Sequence, residues 1–318
     1  MRQNTRYQAR THALAALLPL VVLAAACGGT AHRTGSDTTP PGPETGTVKT
    51  APSATTAAED STAVRTDAET IAYACGTPPQ ICLVESDGTR PRRLTDSGNN
   101  EGPEWWPDGT ALTYSRYVDG TFQIFALALG ADQPAAMTHG GGNKLFADMS
   151  PDGTEFVVAD DRDGDFDLYR LDTSGRMRKL TNGAGDEIDP EWTADGCCIT
   201  FTRSSGGRFP DMYVTRRNGK GTFKIGPGLT PAWSPDGKTL AAALPTGLIL
   251  IPEKGRVKRL TNHPYDVEPT WSPDGTRLAF RRGQTGRSAE IWVVNVDGTG
   301  LRQITHGAGD DVTPAWAP

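Results

Sequence analysis

Histidine, cysteine and aromatic residues are scarce in this chain. Five histidines and five cysteines stand among 318 residues, and Phe, Trp and Tyr together make up 7%. No His-x-His or His-x-x-x-His pair occurs, so the short-spaced ligand pattern of a metal centre is missing. Gly-x-Ser-x-Gly is missing too, which argues against an attached serine hydrolase. So is Gly-x-x-x-x-Gly-Lys-Ser/Thr, the phosphate loop. Basic charge is not in excess: the formal net charge is −6, a poor match to nucleic acid. No segment carries sustained helical periodicity. No cofactor, metal or nucleic-acid partner is expected from these features.

A long hydrophobic run is also lacking. Ala13 to Ala26 is apolar but falls short of the roughly 20 residues of a spanning helix. Arg2, Arg6 and Arg10 precede it, which reads as a cleaved export signal over residues 1–26. The run ends Leu23-Ala24-Ala25-Ala26-Cys27-Gly28. Small residues directly before a cysteine resemble a bacterial lipoprotein cleavage site, with Cys27 as the lipid-modified first residue. Leu23 stands four residues before the cysteine rather than the usual three. Residues 27–70 are crowded with Thr, Pro, Ala, Gly and Ser and contain no aromatic residue. Such a stretch buries too little apolar surface to offset its ordering entropy, so it reads as a tether.

What is abundant is a repeat. Trp233-Ser234-Pro235-Asp236-Gly237 and Trp271-Ser272-Pro273-Asp274-Gly275 are its clearest copies. Looser copies begin at Trp105, Met149 and Trp192, and a cut-off copy ends the chain at Trp316. A spacing of about 40 residues marks a repeat architecture. Each repeat reads as four short strands. In the last full copy Pro269-Thr270-Trp271 is extended, and Ser272-Pro273-Asp274-Gly275 turns the chain, with Pro presetting the backbone and Gly ending the turn. Leu278-Ala279-Phe280 and Ile291-Trp292-Val293-Val294-Asn295-Val296 follow as apolar, β-rich strands. The fourth strand carries a Leu-Thr pair or its equivalent: Leu94-Thr95, Met137-Thr138, Leu180-Thr181, Ile225-Gly226, Leu260-Thr261 and Ile304-Thr305.

The two ends of residues 71–318 complete each other. The copy starting at Ile71 lacks a first strand, and the chain finishes with a first strand at Pro314-Ala315-Trp316. The spacing therefore predicts an all-β, six-bladed β-propeller of four-stranded blades. The C-terminal strand closes it by pairing with the first blade, which removes the sheet edges. Trp105, Trp192, Trp233, Trp271 and Trp316 are expected between blades as scaffold.

These repeats resemble the WD-like propeller repeats of the TolB family, the periplasmic Tol-Pal component. The carrying residues are Leu260-Thr261 through Asp266, Pro269 to Gly275, Leu278-Ala279-Phe280 and Ile291 to Gly298. The likeness covers Ile71 to Pro318. The family member named for Tol-Pal has a separate amino-terminal α/β domain, whose place a tether takes here. The resemblance implies that the Pro-x-Trp strand is innermost and the Leu-Thr strand outermost. The Asp-Gly turns then share one face, and the irregular, charged loops share the other.

That loop face is where a ligand is expected. Asn100, Lys144, Glu187, Asp266 and Asp311 stand at one repeat position and are expected to ring the channel mouth. Asp189, Glu268, Asp310, Arg116, Arg203 and Arg281 extend the candidate surface. Capping of turns is the competing role for each acidic residue. The stretch Asp160 to Asp167 has Gly164 out of register for an EF-hand and reads as a hairpin loop. His139, His263 and His306 lie on separate blades; propeller lyases related to the family hold a metal with channel histidines. Export permits a disulfide between Cys75 and Cys82, with buried thiols as the alternative. Cys197 and Cys198 point to opposite faces of a regular strand and are expected to be structural. The function these features imply is a non-catalytic binding platform for a protein, peptide or cell-envelope ligand. The platform would be exported and held on the extracytoplasmic face of the membrane through Cys27. A metal-dependent polysaccharide lyase or hydrolase is the alternative.

Overall fold

The computed structural model describes residues 69–204, 206, 208–284, 287–307 and 309–318. The signal, Cys27 and nearly all of the tether lie outside the described residues. Six four-stranded antiparallel sheets form the blades of a propeller. We number the blades I to VI and letter their strands a to d from the centre outward.

Blade I comprises Asp311–Trp316, Thr70–Cys75, Gln80–Glu85 and Arg92–Arg93. Blade II comprises Asn100–Trp105, Ala111–Val118, Thr121–Ala128 and Ala135–Ala136. Blade III comprises Lys144–Met149, Glu155–Asp160, Asp167–Asp172 and Met177–Lys179. Blade IV comprises Asp186–Trp192, Cys198–Ser204, Asp211–Arg216 and Phe223–Pro227. Blade V comprises Leu229–Trp233, Thr239–Leu244, Gly247–Pro252 and Lys258–Arg259. Blade VI comprises Asp266–Trp271, Arg277–Gln284, Arg287–Asn295 and Arg302–Gln303. Blade I takes its strand a from the C-terminal end of the chain, with Ile71 opposite Trp316 and Cys75 opposite Asp311. The expected closure is present.

The core follows from this stacking. Each strand b meets a neighbouring blade on both faces, which is why it is written as a short continuous apolar run. Six apolar clusters fill the six junctions between blades. The Ser-Pro-Asp-Gly turns are held by the aspartate, whose carboxylate accepts the N–H two residues on. Asp236 accepts from Lys238 at 3.1 Å and Asp274 from Thr276 at 3.0 Å. The glycine then takes a left-handed φ of 68° in both turns, which disfavours a Cβ.

The outer strands differ from the sequence reading. They end before the Leu-Thr pairs instead of containing them; blade IV, with Ile225-Gly226, is the exception. The reason is chemical. The threonine hydroxyl accepts the strand c N–H that a ladder partner would otherwise take. Thr95 accepts from Ile81, Thr138 from Ile124, Thr261 from Leu248 and Thr305 from Ile291, each at 2.9 Å. The side chain thus replaces the backbone and frees the chain to cross to the next blade.

Strand a carries an extra residue in every blade. Its register against strand b slips at the same place six times. The residue three before each Trp-equivalent position has a left-handed φ: Gly102, Phe146, Asp189, Thr230, Glu268 and Thr313. A bulge leaves its extra residue unpaired within the sheet. Here the loose N–H reaches the preceding blade. Glu268 donates to the Thr230 hydroxyl at 3.1 Å, Thr313 to the Glu268 carboxylate at 2.8 Å and Gly102 to the Thr313 hydroxyl at 3.3 Å.

The tryptophans staple the same junctions. The indole N–H of Trp105 donates to the Ala315 carbonyl at 3.0 Å, that of Trp192 to Asp148 at 3.2 Å and that of Trp271 to Ala232 at 2.9 Å. Trp233 donates instead to the Thr200 hydroxyl at 3.2 Å. Trp316 sits at the closure, 6% exposed, under the Arg277 guanidinium. Replacing Trp316 with alanine is expected to cost about 3–5 kcal/mol. Urea unfolding of the full chain checks this, as a lowered midpoint with an unchanged slope.

Candidate functional site

The strand order fixes two faces. Strand a runs from the loop face to the Ser-Pro-Asp-Gly face, and its backbone lines the central channel. The residue five before the Trp-equivalent position, at or next to the start of the strand, pairs in register with strand b in each polar blade. Asn100 faces Arg116, Lys144 faces Asp160, Glu187 faces Arg203 and Asp266 faces Arg282.

The structure buries the expected ring. Asn100, Lys144, Glu187, Asp266 and Asp311 are all buried. Their polar atoms are taken up mainly by their own loops and strands. Asn100 donates to Gln80, Thr95 and the Ser97 carbonyl at 2.9–3.0 Å. The Lys144 ammonium donates to the Gly141 and Gly142 carbonyls at 2.8 and 3.0 Å, with Asp160 at 3.7 Å. Burial lowers its pKa from the usual lysine range, and Asp160 opposes that shift. The Glu187 carboxylate is gripped by Arg203 and Thr181. Asp266 holds Arg282 through two bonds of 2.6 and 2.8 Å. Burial pushes the Asp311 carboxyl up to about 6. These five residues are girders beneath the loops. The physical reason is that a strand's first residue is covered once the loops of its own blade fold over it.

The arginines stand above them. Arg116 lies 5.5 Å over the Phe125 ring and Arg203 4.2 Å over Tyr213. Arg281 approaches Glu268 at 3.5 Å. Arg282, its neighbour on the charged loop face, lies 4.5 Å over Trp292. Arg116, Arg203 and Arg282 each stand four residues past the strand b residues Leu112, Ile199 and Leu278, whereas Arg281 does not. Asp310 is exposed, and its carboxylate accepts the Ala289 N–H at 2.8 Å.

The channel holds the larger omission. Glu104, Asp148 and Glu191 directly precede the Trp-equivalent position on three consecutive blades. They keep part of their surface open to the channel while protein surrounds them. Asp148 accepts the Trp192 N–H and Glu191 the Trp233 N–H, both at 2.7 Å, so two of them also bind the next blade. Burial raises all three carboxyls. Asp148 rises to about 7; Glu104 and Glu191 go well above the usual range, helped by repulsion from Asp148. Asp189, at the bulge, rises to about 7 through burial and the nearby Glu268. The signal for this cluster was the repeated Pro-Glu-Trp at Pro103-Glu104-Trp105 and Pro190-Glu191-Trp192.

The remaining candidates sit elsewhere. Gly164 closes a turn onto the Asp161 carbonyl at 2.9 Å. Asp160 binds Arg162, Asp161 binds Asn143, and Asp163 and Asp167 share Lys179. The loop is a hairpin whose carboxylates have protein partners. His139 and His306 are exposed on loops of different blades, and His263 lies 3.5 Å from Asp266. Among the described residues no three His, Cys, Asp or Glu side chains are grouped to hold a metal ion. Cys75 and Cys82 form a disulfide in the closing blade. Burial pushes the Cys198 thiol up to about 11, which suits a structural residue.

A closed six-bladed propeller with a loop face and an acidic channel defines the class. Residues 69–246 match the family described as the TolB beta propeller domain, and the chain belongs to that family. It is 26% identical over 234 residues to the Tol-Pal system protein TolB of Francisella tularensis, covering 68% of this chain and 54% of that protein. An uncharacterized protein of Agrobacterium fabrum is 27% identical over 181 residues, covering 51% of this chain and 60% of that one. The chain thus spans little more than half the length of these curated relatives. The crystal structure of TolB from Acinetobacter baumannii superposes with a TM-score of 0.71 at 22% identity, covering 79% of this chain and 67% of that one.

The raised carboxyls carry a pH dependence of definite sign. A carboxyl whose pKa is higher in the fold favours folding below its unfolded value, and that contribution is lost as pH rises through the folded value. For Asp148 the window runs from about 4 to about 7. Asp148→Asn keeps an oxygen acceptor for the Trp192 N–H and removes the charge. Its melting temperature is expected to match the parent at pH 4 and exceed it at pH 8. Parallel thermal melts at the two pH values check this; an equal shift at both would contradict it.

Proposed function

We propose that this protein is an exported lipoprotein, anchored through Cys27. Its propeller is a non-catalytic platform that presents the loop face to a protein, peptide or cell-envelope ligand. The carrying observation is the polarity of the fold. Strand b of blade I begins at Thr70, beside Trp316, so the preceding segment joins the propeller on the Ser-Pro-Asp-Gly face. Glu69 is clamped there by Arg277 at 2.6 Å and by Ser86. An anchor on that side leaves the loop face turned away from the membrane, with residues 27–70 as the spacer.

The composition of the loop face supports this reading. Arg116, Arg203 and Arg282 lie over aromatic rings, and Tyr117 and Tyr265 are exposed on the same face. Arginine and tyrosine are the residues that dominate binding energy at protein interfaces. The family points the same way, since one relative is named as a component of the Tol-Pal system. A metal-dependent lyase or hydrolase is not carried forward, because no three His, Cys, Asp or Glu side chains are grouped to hold a metal ion among the described residues.

Photo-crosslinking in intact cells tests the orientation. A benzophenone amino acid at Tyr117 or Tyr265 is expected to give adducts, and one at Thr110 or Lys238 on the opposite face is not. Adducts confined to the latter pair would refute the platform as drawn. Cys27→Ser is expected to move the protein from the membrane to the soluble fraction; unchanged membrane retention would refute the anchor.

A further inference from the structure

Blade V breaks the pattern of the loop face. Its strands b and c are joined by Pro245 and Thr246 alone, and Gly228 alone links blade IV to it. It also lacks the cross-strand ion pair of its neighbours: Gly228 stands where they have Glu187 and Asp266, and the next residue, Leu229, pairs with Ala243. Leu229 and Leu244 are half-buried there, each packed on a different inter-blade core.

The connections on both sides are longer. Phe209, two residues before strand c of blade IV, is 36% exposed. It is set beside blade V, because the next residue, Pro210, accepts the Gly228 N–H at 3.1 Å. On the other side Tyr265 is 37% exposed. Its carbonyl accepts the Gly283 N–H at 3.1 Å, and its ring meets His263 edge-on. Strands b and c of blade VI extend to Gln284 and Arg287, longer than those of blade V. The result is a trough over blade V with an apolar floor and an aromatic side chain on each wall. Its inner end opens on the channel. There Thr230 stands between Asp189 of blade IV and Glu268 of blade VI. Glu268 has Arg281 at 3.5 Å, whereas Asp189 has no ion pair among the described residues.

Resting on the platform reading, we infer that this trough receives an extended polypeptide segment of a partner. The segment presents an apolar or aromatic side chain to the floor and an adjacent lysine or arginine to Asp189 and Glu268. The leucine floor and aromatic walls disfavour a hydroxyl-rich glycan, whose polar groups would be left unpaired. The carboxylates at the inner end exclude anionic partners and reward a cation, in an acidic protein whose field has the same sign. A flat surface would gain little from one side chain; a walled trough desolvates it fully, as interface anchors require.

A random linear peptide library displayed on phage and panned against the full chain tests this. Enriched peptides, made synthetically and measured by fluorescence anisotropy, are expected to carry Lys or Arg beside an aromatic or aliphatic residue. Their Kd is expected to weaken at least about tenfold with Asp189→Asn and with Phe209→Ala combined with Tyr265→Ala. A Gly-Ser-Gly-Ser insertion between Pro245 and Thr246 fills the trough without entering the core. It should abolish binding even if Asp189→Asn does not fold. Lys238→Ala, on the opposite face, should leave binding unchanged. Peptides that ignore the trough variants but are lost with Arg116→Ala would overturn the trough while leaving the platform standing. Failure to enrich any peptide sensitive to a loop-face substitution would overturn both.

Discussion

The propeller depends on one repeated contact, the reach of strand a across to the preceding blade. A four-stranded blade has two apolar faces and cannot bury either alone. The bulge three residues before each Trp-equivalent position turns an N–H out of the sheet, and at Gly102, Thr230, Glu268 and Thr313 the preceding blade accepts it. Left-handed backbone at Phe146, Asp189, Thr230, Glu268 and Thr313 costs roughly 1–2 kcal/mol per residue. It persists because the surrounding junction fixes it from several sides: the bulge bond, the tryptophan staple and an apolar cluster. Six such junctions are mutually dependent, because the ring closes only if every one forms.

That dependence explains the acidic channel. The residue before each Trp-equivalent position faces the axis and lies beside the N–H of the next blade. Asp148 and Glu191 satisfy that donor with a carboxylate, and Thr270 satisfies the Trp316 N–H with a hydroxyl. A carboxylate here is a strong acceptor in a poorly hydrated place, so it binds the blade and is itself made reluctant to ionise. The channel is thus scaffold first. The parts left over for recognition are the loops, which the ring holds in place but does not need. Blade V shows this freedom: its loops shrink and its polar pair is lost, yet its junctions remain packed.

The fold was legible because its signals are local and periodic. A turn of Trp-Ser-Pro-Asp-Gly at even spacing sets the blade count, and the truncated copy at Trp316 announces the closure. The Leu-Thr pairs were misplaced by a few residues, because a hydroxyl that substitutes for a ladder bond has no signature distinct from a strand threonine. The bulge was illegible: Gly102, Phe146, Asp189, Thr230, Glu268 and Thr313 share no side-chain chemistry, since only their backbone is in common. The supposed rim residues Asn100, Lys144, Glu187, Asp266 and Asp311 were found at the right repeat position, but burial could not be read from it. The carboxylates of the channel were visible in Pro-Glu-Trp and passed over as part of the scaffold motif.

The central claim is that the six inner strands form one cooperative ring, with the closure no weaker than the other junctions. Amide hydrogen exchange under native conditions measures it most directly. The Ala317 N–H, which crosses the closure to the Thr70 carbonyl at 2.8 Å, is expected to exchange in the same slow class as those of Trp192 and Trp233. Exchange at Ala317 well ahead of the other two would show a closure that opens by itself, and would contradict the account.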